Sequence, residues 1–87
     1  AFIFVGLKNQ NEEELNKFEK LVWGWEEVRE CYMLNGEVDF ILKCVAKNMN
    51  AFQEFLTNNI SSNDNIASIK TAFAIKATKS LGNVPLD

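Results

Sequence analysis

The hydrophobic positions of this chain change their spacing several times, and each change predicts a new element. Residues 1–7 form an unbroken apolar run that is too short for a stable helix and rich in strand formers. We expect a first strand here that is buried on both faces. Further along, apolar residues recur at helical spacing and form one stripe, at Leu15, Phe18, Leu21, Val22 and Trp25.

Polar residues and a glycine mark the ends of this first helix. Asn11 precedes three acidic residues, which suit the positive end of the helix dipole, and Glu14 stands at the capping-box position. At the other end, Gly24 suits a left-handed cap that ends the helix near Trp23. The sequence therefore predicts a helix that starts after Asn11 and ends before Gly24.

Two apolar-rich runs flank an Asn-Gly pair near the middle of the chain. We expect residues 28–34 and 38–46 to be the second and third strands, joined by Asn35 and Gly36. Asn-Gly between such runs is a strong hairpin signal, because both residues tolerate the positive φ angles of a tight primed turn.

The second half of the chain repeats the order of a helix followed by a strand. Asn48 or Asn50 caps a second helix, and residues 61–65 have the composition of a loop. Residues 66–77 are predicted to form a fourth strand, and residues 78–87 an extended tail. The apolar stripe of the second helix is predicted at Met49, Phe52, Phe55, Leu56 and Ile60.

The resulting order is β-α-β-β-α-β within a single domain of residues 1–87, whose core spans residues 1–77. Two right-handed β-α-β crossovers place both helices on one face of a four-stranded antiparallel sheet. This is the ferredoxin-like α+β arrangement.

The face of the sheet without helices is expected to be apolar. The first strand offers Phe2 and Phe4 to one side of the sheet and Ile3 and Val5 to the other. An open apolar face of this breadth is larger than soluble monomers normally expose. We therefore expect the chain to form a homodimer in which a second copy of the sheet covers this face.

Composition and charge exclude several classes of protein. The formal net charge is −3 and the pI is near 4.9, whereas nucleic-acid-binding domains usually carry a basic face. No apolar run approaches the ~20 residues of a membrane span, and no signal peptide is visible. We expect a cytoplasmic protein that does not bind DNA by itself.

The residue types that catalyse reactions or bind metals are scarce. The sequence has no histidine, which excludes catalytic triads, and no glycine-rich phosphate loop. A two-residue hairpin turn places Cys31 opposite Phe40 and Cys44 opposite Glu27, so the two cysteines are too far apart for a disulfide and match no zinc spacing. We expect two reduced, buried cysteines, no metal, no cofactor and no enzyme activity.

The hairpin tip is the one place where the residues point to ligand chemistry. Gly36 leaves backbone amides uncovered, and Asp39 lies three residues beyond it. Open N–H groups beside an acid can hold a zwitterion, with its carboxylate on the amides and its ammonium on Asp39. The alternative is a plain solvated turn with a surface acid.

Residues 28–43 also carry a motif that resembles a known family. The chain is similar here to the C-terminal effector-binding (RAM) domain of the Lrp/AsnC, or feast/famine, transcription regulators, whose pattern is Val-x-Glu-Cys-Tyr-x-Val-Thr-Gly-x-x-Asp-Tyr-x-Leu-Lys. The resemblance covers essentially the whole chain. The departures are Leu34, Asn35 and Phe40, where the family usually has Val, Thr and Tyr. The matching positions are Val28, Glu30, Cys31, Tyr32, Gly36, Asp39, Leu42 and Lys43.

The resemblance implies a cytosolic bacterial or archaeal regulator whose dimers assemble further, from tetramers to octamers. Small molecules, typically amino acids, bind between the dimers. DNA binding in the family belongs to an N-terminal helix-turn-helix, which this chain lacks. Because the chain begins inside a strand and without methionine, we expect a fragment of a longer regulator, with a stand-alone effector domain as the alternative. The implied effector-binding residues are Met33, Asn35, Gly36, Asp39, Thr71 and Phe73.

Two other classes of protein share this predicted fold. A small cofactor-free enzyme, such as an acylphosphatase-like hydrolase or a dimeric monooxygenase, would need an arginine-bearing loop after the first strand or a histidine, and the chain has neither. An RNA-binding sheet would need exposed aromatic residues with basic neighbours, which Phe2, Phe4 and Phe40 lack. A ligand-sensing and assembly domain of a transcription regulator remains the leading hypothesis.

Overall fold

The computed structural model describes residues 1–80, and the order of elements agrees with the prediction. The predicted tail, residues 78–87, lies outside the described residues from residue 81 onward. Helix α2 continues directly into a short π-helical segment, Leu56–Ser61. The elements are strand β1 (Phe2–Leu7), helix α1 (Glu12–Trp23), strands β2 (Val28–Met33) and β3 (Phe40–Cys44), helix α2 (Met49–Phe55) and strand β4 (Ile66–Ala72).

The four strands form one antiparallel sheet in the order β2-β3-β1-β4. Both helices pack on one face, so the predicted ferredoxin-like α+β fold is confirmed. None of the helices within residues 1–80 is long and apolar enough to cross a bilayer.

Asparagine side chains start both helices, as predicted. The Asn11 side chain accepts a hydrogen bond from the Glu14 N–H at 2.9 Å, and the Asn48 side chain accepts one from the Ala51 N–H at 2.8 Å. The reciprocal half of the capping box is different, because the Asn11 N–H donates to the Asn9 side chain at 3.1 Å. Asn9 therefore takes the place expected for the Glu14 carboxylate.

The predicted left-handed cap at Gly24 is wrong. Gly24 has a φ of −84° and a ψ of −6°, which is right-handed backbone. Its N–H bonds to the Leu21 carbonyl, and the following Trp25 N–H bonds to the Val22 carbonyl at 3.0 Å. The chain thus leaves α1 through a continued right-handed turn, since these bonds already satisfy the last carbonyls.

The core lies between the helices and the covered sheet face. Ile3, Val5 and Leu42 are fully buried, and the Phe18 ring lies 4.8 Å from that of Phe40. Two positions of the predicted apolar stripes are not buried. Leu21 is 41% exposed and Met49 is 55% exposed. Each of these two side chains borders a surface cavity instead.

The predicted strands β3 and β4 are too long. Within residues 1–80, β1 is the only strand beside β4, and β4 ends at Ala72 because that residue pairs with Phe2, the first residue of β1. In this described part of the chain, residues 73–77 have no strand to pair with. β3 likewise ends at Cys44, because this residue pairs with Val28, the first residue of β2.

The open sheet face has an apolar centre and charged corners. Register places two rows across it, because residues directly opposite in neighbouring strands point to the same side. Phe2 and Phe4 are half-buried in the middle of the rows. The rows are Tyr32–Ile41–Phe4–Lys70 and Glu30–Lys43–Phe2–Ala72.

Candidate functional site

The connection between β2 and β3 is a wide loop, not the predicted two-residue turn. Met33 pairs with Phe40, and the Leu34 N–H donates to the Asp39 carbonyl at 2.8 Å. Residues 34–39 form the loop, and Gly36 does not adopt the positive φ that a primed turn requires.

The register of the hairpin changes accordingly. Cys31 lies opposite Leu42, and Cys44 lies opposite Val28, so the predicted partners Phe40 and Glu27 are wrong. The cysteines are still out of register with each other, and both are free thiols, as expected. Cys44 is buried, whereas Cys31 is only half-buried.

Asp39 anchors the wider loop to β1 through both its side chain and its backbone. Its carboxylate Oδ2 accepts a hydrogen bond from the Leu7 N–H at 2.7 Å, and its own N–H donates to the Val5 carbonyl at 2.9 Å. A more distant contact joins the same oxygen to the Gln10 amide at 3.5 Å. Asp39 is thus held against the end of β1, and the loop opens between Leu34 and Asp39.

An open, shallow cavity of about 550 Å³ lies beside the loop at the edge of the helix-free face. Its walls are mainly apolar, and Lys70 and Glu37 are the charged residues among those that line it. A Cβ added at Gly36 would meet nothing within 4 Å, so the backbone at this wall is uncovered. The lining residues are Phe4, Leu34, Asn35, Gly36, Glu37, Val38 and Lys70.

The cavity combines the groups that an amino-acid zwitterion needs. A lysine can bind a carboxylate, a glutamate can bind an ammonium group, and such charge-assisted hydrogen bonds are stronger than neutral ones. Apolar walls suit a ligand side chain.

The structure brings together only part of the predicted site. Asn35 and Gly36 line the loop cavity, and Asp39 lies next to it with one carboxylate oxygen already bound to β1. Met33 lies on the other face of the sheet, opposite buried Phe40, and borders a groove beside α1.

The two remaining predicted residues, Thr71 and Phe73, do not line this cavity. Thr71 pairs with Ile3 in β4, on the helix-covered face, and is exposed. Phe73 follows β4, and its ring lies 5.3 Å from that of Phe52, next to a second shallow cavity. The two residues therefore lie on different sides of the sheet edge from Asn35 and Gly36.

Sequence reasoning did not find Lys70 and Glu37. Lys70 is the one charged residue of β4, and it faces Phe4 across the open side of the sheet. The signal that could have identified Lys70 is a basic residue on an otherwise uncharged strand. Glu37 lies in the same loop, but a tight two-residue turn favours Asp39 as the acid beside the open amides.

A polar cluster occupies one corner of the open face. The Tyr32 hydroxyl donates to one Glu30 oxygen, and the Lys43 amine lies 3.3 Å from the other. Both bonds hold the pKa of the Glu30 carboxyl below its usual value, with the tyrosine making the larger contribution. The same bond raises the pKa of Tyr32.

The two thiols are unreactive by environment. Burial raises the pKa of Cys31 to about 11, and the nearby Glu19 acts in the same direction. Burial likewise raises the pKa of Cys44 to about 11. No cluster of metal-ligating side chains occurs among the described residues 1–80.

Comparison with known proteins identifies the family. The model of the Lrp/AsnC ligand binding domain matches residues 1–84. This chain belongs to the Lrp/AsnC ligand-binding domain family. The resemblance noted in residues 28–43 is thereby confirmed.

Individual relatives agree with this assignment. The chain is 38% identical over 79 residues to the leucine-responsive regulatory protein of Rhizobium meliloti, covering 91% of this chain and 51% of that protein. It is 34% identical over 86 residues to the Bkd operon transcriptional regulator of Pseudomonas aeruginosa, covering 99% and 56%. A transcriptional regulator of Neisseria meningitidis, solved as a complex with L-Met, superposes with a TM-score of 0.84 at 28% identity, covering 97% of this chain and 54% of the other.

These relatives decide the class of protein. They are transcriptional regulators, so the expectation that this ligand-binding domain is not an enzyme is confirmed. The chain spans about half the length of each of the three.

Proposed function

We propose that this chain senses an amino acid, or a chemically similar small molecule, for a transcription regulator of the Lrp/AsnC family. The observation that carries the proposal is the apolar loop cavity with Lys70 and Glu37 at its wall, in a domain whose family is defined by ligand binding. The ligand carboxylate would bind the Lys70 amine and the open amides at Gly36. Glu37 or the unbound oxygen of Asp39 would accept the ligand ammonium.

The separation of the implied residues supports a site between copies of the chain. Asn35 and Gly36 line the cavity at the edge of the open face, whereas Thr71 lies on the helix-covered face and Phe73 lies beyond the end of β4. A ligand that contacts both pairs therefore needs two copies. Point-group symmetry provides such sites naturally, because one surface meets another on each neighbouring copy.

We further propose the assembly in which this site forms. Two copies join through the open sheet faces, with Phe2, Phe4 and Ile41 at the centre, and dimers associate into tetramers or octamers. Binding of the effector between dimers would bias this assembly and so modulate DNA binding. DNA contact would come through an N-terminal helix-turn-helix outside this chain, in a cytoplasmic regulator.

Thermal unfolding in the presence of each proteinogenic amino acid tests the proposal. A ligand at about 100 times its dissociation constant stabilises the folded state by about 2.7 kcal/mol. We expect at least one amino acid to raise the unfolding temperature, and L-methionine is the first to try because one structural relative was solved with it.

A charge variant assigns the binding to the loop cavity. Lys70→Gln removes the cation and should cost about 1.5–3 kcal/mol of binding free energy. The matched control is Lys47→Gln, at an exposed position outside the cavity. Equal affinity in wild type and Lys70→Gln would exclude Lys70 as the carboxylate partner, and a screen without any stabilising amino acid would contradict the proposed function.

A further inference from the structure

The loop contains a chemically reactive pair of residues. Asn35 is the only one of the eleven asparagines that precedes a glycine. The backbone nitrogen after an asparagine can attack the side-chain carbonyl carbon, and a side chain on the following residue hinders that approach. Glycine offers no such hindrance. The family pattern has threonine at this position, and threonine carries no amide.

The structure leaves this pair unprotected. Asn35 is exposed and lies outside the β2–β3 ladder. Among the described residues 1–80, no hydrogen bond involves the Asn35 side-chain amide or the Gly36 N–H. A Cβ added at Gly36 would meet no atom within 4 Å, so no neighbouring group blocks that side of the Gly36 backbone.

Other asparagines provide the contrast. The Asn11 and Asn48 side chains cap helices, and Asn65 exchanges two hydrogen bonds with the backbone of Asn9, both at 3.0 Å. Each of the three precedes a residue with a side chain, so both protections that Asn35 lacks are present.

We propose that Asn35 is a site of spontaneous deamidation in this protein. The Gly36 nitrogen forms a bond to Cγ of Asn35, the bond from Cγ to Nδ2 breaks, and ammonia leaves with the proton that the Gly36 nitrogen gives up. The resulting five-membered succinimide is opened by water at either carbonyl. Opening at one carbonyl gives aspartate, and opening at the other gives isoaspartate, with the main chain running through the former side chain.

The product changes the electrostatics of the loop cavity. Deamidation adds one negative charge to a chain whose formal net charge is already −3. The new carboxylate belongs to a residue that lines the same cavity as Lys70. If the proposed function is correct, this carboxylate competes with that of the effector for the Lys70 amine, so deamidation lowers effector affinity.

Peptide mass spectrometry after incubation at mildly alkaline pH tests the modification. The folded full chain is digested at intervals, and the conversion of each asparagine from amide to acid is followed. We expect Asn35 to convert first, giving both aspartate and isoaspartate, while Asn65 stays intact as the internal control. Conversion of Asn35 no faster than that of Asn65 would overturn the proposal.

Two variants make the result specific. Gly36→Ala fits the open space without requiring a positive φ, and we expect it to slow conversion about tenfold or more through steric hindrance. An unchanged rate in folded Gly36→Ala would also overturn the mechanism. Asn35→Asp mimics one product, and its weaker effector binding tests the consequence separately. If fresh protein binds no amino acid, the proposed function fails, while the mass-spectrometric result stands alone.

Discussion

Asp39 has a role that its place beside a turn did not reveal. Its carboxylate accepts the N–H of buried Leu7 at 2.7 Å and fixes the exit of β1 to the start of β3. Residue types and spacing predict ligand chemistry at this loop, and this stays a prediction. They did not reveal the bond between Asp39 and Leu7, because that contact joins residues 32 positions apart.

Removal of this carboxylate should destabilise the domain. We expect Asp39→Ala to lower the free energy of unfolding by about 1.5–3 kcal/mol, because a buried N–H loses a charged acceptor. The matched control is Glu37→Ala, an exposed acid of the same loop, which should stay within about 0.5 kcal/mol of wild type. Denaturant unfolding measures both variants, and equal stabilities would refute the structural role of Asp39.

The shielded thiols give a second prediction at this scale. Because the pKa values of Cys31 and Cys44 are raised to about 11, little thiolate exists at pH 8 and alkylation of the folded chain should be slow. Thiols of an unfolded chain titrate lower, so stability from this source is complete below pH 9 and falls as the pH rises toward 11. Alkylation rates with and without denaturant check this, and equal rates would disprove the shielding.

At the scale of elements, the features that depend on neighbouring residues were predicted correctly from the sequence. The Asn11 and Asn48 caps and the order of strands and helices depend on neighbouring residues, and they were predicted. The end of β4 depends on where its neighbour β1 begins, and the conformation of Gly24 depends on bonds formed by the following turn. Both were predicted wrongly, because they are set by contacts that the local pattern does not encode.

The right-handed conformation of Gly24 leads to a stability prediction. An alanine fits this backbone, since its Cβ would lie 3.4 Å from the Leu21 carbonyl oxygen. Gly24→Ala should therefore stabilise the protein by about 0.4–1 kcal/mol, because the unfolded chain loses conformational freedom. Thermal unfolding checks this outcome. A loss of more than about 1 kcal/mol would instead indicate the left-handed cap.

At the scale of the molecule, the open sheet face is the surface on which we expect a second copy of the chain to pack. Phe2, Phe4 and Ile41 form its apolar centre together with the neighbouring Lys43, whereas Glu30 and Lys70 lie at its corners. An apolar centre with a polar rim is the usual anatomy of an interface.

A charge at the centre of this face should separate the copies. We expect wild type to sediment as a dimer or larger species and Ile41→Glu to sediment mainly as a 9.9 kDa monomer. Val45→Glu is the matched control, because this exposed side chain lies beyond the end of β3. If wild type is monomeric at micromolar concentration, or if both variants assemble equally, the proposed interface is wrong.

The central claim is that the loop between β2 and β3 holds an amino-acid effector. Hydrogen–deuterium exchange with and without a saturating, stabilising amino acid tests it most directly, because it locates protection along the chain whatever the size of the assembly. We predict the largest slowing of exchange in residues 34–39 and around Lys70. Protection confined to the groove between α1 and β2, with residues 34–39 unchanged, would contradict this account.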